Sequence, residues 1–139
     1  MSKNASIDTK ALISAARKVR RNAHAPYSKF RVGAALLSEK GQIFIGANVE
    51  NASYPEGICA EGAAIAAMVA AGHKSIKAIA IAAEPSVPPC GGCRQKITEF
   101  AAGDSLIILV GAVGKSSQSD TIANLLPHAF HSTRIKSSA

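Results

Sequence analysis

The chain has 139 residues, the size of one ordinary domain, and its 47% hydrophobic against 18% charged residues exclude intrinsic disorder. The longest apolar runs, such as 63–71, are too short to cross a bilayer, and the polar opening MSKNASIDTK holds no apolar signal core. The formal charge of +7 comes from 16 basic and 9 acidic residues, with nine of the basic ones in the first 40 positions.

Asp8 or Thr9 is placed to cap a first helix running to about Arg21. Ile7, Leu12, Ala16 and Val19 form its apolar stripe, and Arg17, Lys18, Arg20 and Arg21 fill its last turns, where the helix dipole favours cations. Such a basic face attracts polyanions, but it lacks the interleaved aromatics that base stacking wants, so it reads as a solvated face without a nucleic-acid partner. NAHAPYSK breaks the pattern at Pro26. FRVGAALLS and IFIGANV then read as two strands of a hairpin around EKGQ. ENASYPEG is loop, and a helix is expected from about Ile58 to Gly72. IKAIAIAAE is a continuous apolar strand of the kind buried on both faces. PSVPPCGG is loop, CRQKITEFA a second helix, LIILVGAV another buried strand, and GKSSQSD a loop before a short helix through Leu126 and a polar tail. The expected fold is a single α/β domain over residues 1–139, three-layer α/β/α with a mixed sheet of roughly five strands. The apolar content is mostly Ala, Ile, Val and Leu, with no Trp. Such small side chains suit close helix packing or subunit interfaces.

GICAEGAAIAAM sets Cys59 and Glu61 at the head of an alanine-rich run, where an unpartnered buried carboxylate is costly. PCGGC holds the other two cysteines, Cys90 and Cys93, 31 residues further along. An odd number of cysteines, in a chain too long for a small disulfide scaffold, points to a reducing compartment, and the cytoplasm is the expected location. Each cysteine group opens a predicted helix, whose N-terminus favours thiolate. If both helices flank one buried strand, the three sulfurs converge. Three thiolates suit Zn2+, one per subunit, with a fourth corner open to water. Glu61 would then move protons beside the metal. Residues two apart in mid-helix diverge, so Cys59 must stand at the helix mouth for both to face one cavity. Spacing alone leaves three readings open: a catalytic zinc, a structural zinc closed by His24, His73, His128 or His131, and redox or inert thiols.

Cys-Ala-Glu followed by Pro-Cys-x-x-Cys resembles the zinc nucleoside and nucleobase deaminases, a class whose motif and mechanism are already established. PYSKFRVGAALL, GANVENASYPEGICAE, PCGGCRQ and LLPHAF are similar, in order and spacing, to the small homotetrameric cytidine deaminases, over about 25–130. The resemblance implies hydrolytic deamination of cytidine and deoxycytidine in pyrimidine salvage, by a homotetramer whose active sites neighbouring subunits complete. It implies Cys59, Cys90 and Cys93 as zinc ligands and Glu61 as proton shuttle. It implies Asn48 and Glu50 on the ribose hydroxyls, Phe30 against the pyrimidine, and a backbone contact from Ala60 to the base. Phe130 resembles the aromatic that reaches another subunit's pocket. Tyr54 reads as a loop aromatic covering the core.

One position departs from the pattern. Many members of the family carry Arg directly after Cys-Ala-Glu, where this chain has Gly62. Zinc with three thiolates has a net charge of −1, and an adjacent Arg offsets it. Arg94, beside Cys93, is the candidate substitute. Deaminases of nucleoside antibiotics such as blasticidin S also lack that Arg, so a modified pyrimidine nucleoside is the rival substrate. A structural-zinc, nucleic-acid-binding module is the rival from another class; its affinity would fall steeply with salt.

Overall fold

The computed structural model describes residues 7–132. Helix α1 (Thr9–Arg20) is capped by Asp8, whose carboxylate accepts from the Ala11 amide at 3.0 Å. Strands β1 (Val32–Ser38) and β2 (Ile43–Ala47) form the hairpin. A 3-10 turn at Tyr54–Glu56 precedes α2 (Ala60–Ala70). Then follow β3 (Ile76–Ala83), α3 (Gly91–Phe100), β4 (Ala101–Val110), β5 (Ser117–Thr121) and the one-turn α4 (Ile122–Leu125). The sheet order is β2-β1-β3-β4-β5, and β3 and β4 are the parallel pair, joined through α3. A parallel pair needs such a crossover, and a strand covered on both faces reads as an uninterrupted apolar run.

Alternation along β3 divides the core. Ala78, Ala80 and Ala82 face α1, together with Leu12, Ala16 and Ala35. Ile79 and Ile81 face α2 and α3, together with Leu36, Met68 and Ile97. The alanine face lets α1 lie almost on the sheet. A Cβ on Gly33 of β1 would stand 2.1 Å from the Ala16 carbonyl oxygen and 2.6 Å from the Arg20 nitrogen. On the other face, a Cβ on Gly46 of β2 would stand 2.4 Å from the Ala64 nitrogen. Backbone cannot yield as a flexible side chain does. Gly33→Ala is therefore expected to lower the unfolding free energy by about 1–3 kcal/mol or more, read as a lower urea midpoint at unchanged slope.

The three-layer architecture agrees with the sequence reading, and four details differ. SQSDT is strand β5, not loop. It is a polar edge strand held to β4 by backbone pairing, from Leu106↔Thr121 to Val110↔Ser117, and has no apolar alternation to betray it. β4 starts directly after α3, because Ala101 pairs with Ile76 before a bulge sets Leu106 opposite Ala78. α3 starts two residues earlier than expected, at Gly91, because Cys90 caps it. Tyr54 does not cover the core: it is 76% exposed and meets Tyr27 edge-on, ring centroids 5.9 Å apart. Of the polar tail, 133–139 lie outside the described residues.

Candidate metal centre and nucleoside cavity

Cys59 and Cys90 are the N-cap residues of α2 and α3, both with extended backbone (φ −77° and −66°), and Cys93 lies in the first turn of α3. Two helix mouths thus meet beside β3. The three sulfurs lie within 4.8 Å of one another. Four-coordinate zinc at about 2.3 Å from each sulfur needs them about 3.8 Å apart, so small side-chain rotations close the set. Cys93 is buried, whereas Cys59 and Cys90 are exposed, so the cluster opens to one side. Among the described residues the cluster consists of these three cysteines, with no histidine. His73 is engaged elsewhere, its Nδ1 2.8 Å from Ser38 Oγ and its ring edge-on to Phe44. His128 and His131 line a separate hollow beside α4. His24 pairs with Val49, and among the described residues no fourth side chain closes a structural shell.

The thiols compete for one charge. The Cys59 thiol is pulled down to about 6, first by the hydrogen bond from Cys93, with Cys90 and the Lys96 charge assisting against desolvation. The Cys93 thiol is pushed up, first by that same bond to Cys59 and then by burial. A divalent cation is what allows all three to ionise together. The donor set, the spacing and the open side all fit zinc.

Glu61, in the first turn of α2, is 5% exposed. Burial raises its carboxyl above the ordinary carboxylate range, and the neighbouring Cys59 charge adds to the shift. It lines a cavity of about 420 Å³ together with Cys59, Cys90, Cys93, Ala60, Phe30, Asn48 and Glu50. Ala60 is the first residue of α2, where a helix leaves its amide N–H without an intrahelical partner. The sequence reading missed Val32, Val49, Ile58, Ile81, Val87 and Pro88, which add an apolar wall. Nothing in their local pattern distinguishes them from ordinary core and loop residues.

Asn48 and Glu50 stand on an extended strip flanked by His24 and Ile58, through bridges at Val49. Both side chains also brace the segment opposite. Asn48 Nδ2 donates to the Phe30 carbonyl at 2.9 Å, and its Oδ1 accepts from the Val32 amide at 2.8 Å. The Glu50 carboxylate accepts from the Tyr27 amide (3.0 Å), the Ser28 amide (3.1 Å) and the Ser28 hydroxyl. These bonds, led by the Ser28 hydroxyl, hold its carboxyl below the ordinary range. Asn48 keeps one N–H and one lone pair free of these contacts, and Glu50 keeps spare lone pairs.

Two expected residues lie apart from the cavity. Phe130 is 59% exposed and does not line its own chain's cavity; its carbonyl accepts from Gln95 Nε2 at 2.9 Å. Arg94 donates from Nε to the Pro89 carbonyl and from Nη1 to the Leu125 carbonyl, both at 2.8 Å. Expected to answer the thiolate charge, the Arg94 guanidinium ties the loop before Cys90 to α4 through these two bonds.

The family described as "Cytidine and deoxycytidylate deaminase zinc-binding region" matches residues 6–109. The cytidine deaminase of Sporosarcina psychrophila is 44% identical over 126 residues, 89% of this chain and 92% of that protein. A probable cytidine deaminase of Dictyostelium discoideum is 45% identical over 121 residues, 85% and 80% of the two chains. Among solved structures, the cytidine deaminase from Burkholderia pseudomallei is similar with a TM-score of 0.83 at 39% identity, covering 89% of this chain and 100% of that one. That from Mycobacterium tuberculosis gives 0.79 at 34%, covering 90% and 98%.

Proposed function

The chain belongs to the cytidine and deoxycytidylate deaminase zinc-binding family, and we propose that it hydrolyses cytidine and deoxycytidine to uridine and deoxyuridine. One observation carries this reading: a single cavity holds a three-sulfur metal site and a buried carboxylate at one part of its wall, and a hydrogen-bonding Asn–Glu pair at another. Zinc held by Cys59, Cys90 and Cys93 supplies Lewis-acid activation of water. Glu61 would take one proton from the attacking water to the ring nitrogen beside the reacting carbon, and the second, from the hydroxyl then on that carbon, to the departing amino group. In balance, the exocyclic C–N bond breaks, a C=O bond forms, one water is consumed and one ammonia leaves.

Phe30 and the apolar wall sandwich the base. The Ala60 amide is free to donate to it. Asn48 and Glu50 receive the sugar hydroxyls with the lone pairs and N–H that their structural bonds leave over. Free cytosine would forgo the sugar contacts of Asn48 and Glu50, which favours the nucleoside. The domain is taken to be the whole of 1–139, and its role pyrimidine salvage in the cytoplasm. The assembly in this reading is a homotetramer with one zinc per subunit, and the exposed apolar side chains Val49, Ile58 and Phe130 offer surface for a neighbouring subunit to cover. In that assembly Phe130 reaches a neighbour's cavity.

The test is ammonia release by zinc-loaded protein from cytidine, deoxycytidine, free cytosine and blasticidin S. Turnover of the first two and none of free cytosine is expected. Turnover of blasticidin S alone would overturn the substrate, and no ammonia from any would overturn the activity.

A further inference from the structure

Gly62 lies one turn beyond Cys59 on α2, and Lys96 one turn beyond Cys93 on α3. A spacing of three residues keeps each on the same side of its helix as the cysteine. The two helices pack against each other, and Lys96 crosses the gap. A Cβ built on Gly62 would stand 3.2 Å from Lys96 Nζ and 3.6 Å from its Cδ. The ammonium therefore hangs over the point where a side chain at position 62 would begin. Gly62 is not among the glycines with positive φ, so the backbone does not demand glycine there. A glycine inside a helix weakens it relative to alanine. What this one provides is room. Ile58, Ile65 and Phe100 line the same groove, with Gln95 and Glu99 on its open side, and Lys96 is exposed there.

We propose that Lys96 supplies the positive charge that offsets the three-thiolate zinc centre, in place of a side chain at position 62, and that Gly62 is the space that admits it. The inference rests on Cys59, Cys90 and Cys93 being the zinc ligands. The two positive charges of one zinc ion against three thiolates would leave one negative charge at the helix mouths. Lys is a compact point charge on a flexible stem, suited to reach over a bare backbone from the neighbouring helix. Arg94 is sequence-adjacent to a ligand, but its guanidinium bonds run to carbonyls.

Zinc affinity, measured by competition with a chromophoric chelator, tests this independently of turnover. Lys96→Met keeps most of the stem and removes the charge; its zinc dissociation constant is expected to rise about 10–100-fold, with Lys96→Arg restored to within about threefold of wild type. Gly62→Ala, which crowds the ammonium, should fall between them. Thermal melts in excess zinc confirm that each variant is folded. A Lys96→Met protein that binds zinc within about twofold of wild type overturns the proposal, as does a Lys96→Arg protein as weak as Lys96→Met. If wild type binds zinc and Lys96→Met loses it, the inference stands even where cytidine is not turned over, which would sink the proposed substrate alone. A wild-type protein without zinc affinity sinks both.

Discussion

Glu61→Gln is expected to retain zinc and lose deamination, with kcat for cytidine falling by roughly 10²–10⁴-fold, the usual contribution of a positioned acid–base group. The substitution preserves volume at a site only 5% exposed. It also relieves the cost of burying a carboxylate, which has already raised this group above its ordinary range. The fold should therefore be unharmed and the melting temperature equal or higher. An amide at this position can still hydrogen-bond to the base, so KM should change far less than kcat. The check is a pair of measurements on one preparation: bound zinc by elemental analysis, and ammonia release under saturating cytidine. Activity within about tenfold of wild type, at full zinc content, would remove Glu61 from the proton path.

Cys93→Ala carries the second large effect, and it should strike metal, activity and stability together. Cys93 is 1% exposed in the first turn of α3, and its amide donates to Cys90 Sγ at 3.4 Å. Removing its sulfur leaves two thiols, both exposed, one from each helix mouth. Two ligands cannot fix a tetrahedral site, so zinc content should drop to background and deamination with it. Zinc binds the folded chain in preference to the unfolded one. At a thousandfold excess over its dissociation constant it adds about 4 kcal/mol. The variant should therefore melt well below zinc-loaded wild type. Chelator-treated wild type should fall to nearly the same temperature, which separates loss of metal from loss of one core atom. A Cys93→Ala protein that keeps stoichiometric zinc and full activity would dissolve the proposed centre.

Legibility of this chain varied with the range of the forces involved. β3 could be read directly, because a strand with neighbours on both edges and helices on both faces needs a long apolar run, here 78–83 after the exposed Lys77. The α1 boundaries could be read from Asp8 and the basic last turn, both of which act within a few residues. β5 could not, since its identity lies in a backbone ladder to β4 and not in its side chains. Arg94 and Lys96 make the contrast sharpest. Sequence adjacency to Cys93 favoured the arginine. Helix geometry directs it to the Pro89 and Leu125 carbonyls and sets the lysine, one turn further on, over Gly62.

By itself the amino-acid order determined the layer architecture, the positions of the helix mouths and the inventory of metal-binding sulfur. Periodicity, caps and breakers act over one or two turns of chain, and that range is written in consecutive residues. Only the tertiary structure decided that Cys59 meets Cys90 and Cys93, that Asn48 and Glu50 share their cavity, and that a cation from α3 stands over α2. Those meetings join segments tens of residues apart. They depend on how closely helices approach the sheet and each other, a distance that Gly33 and Gly46 permit for backbone and Gly62 for the Lys96 side chain, without announcing it.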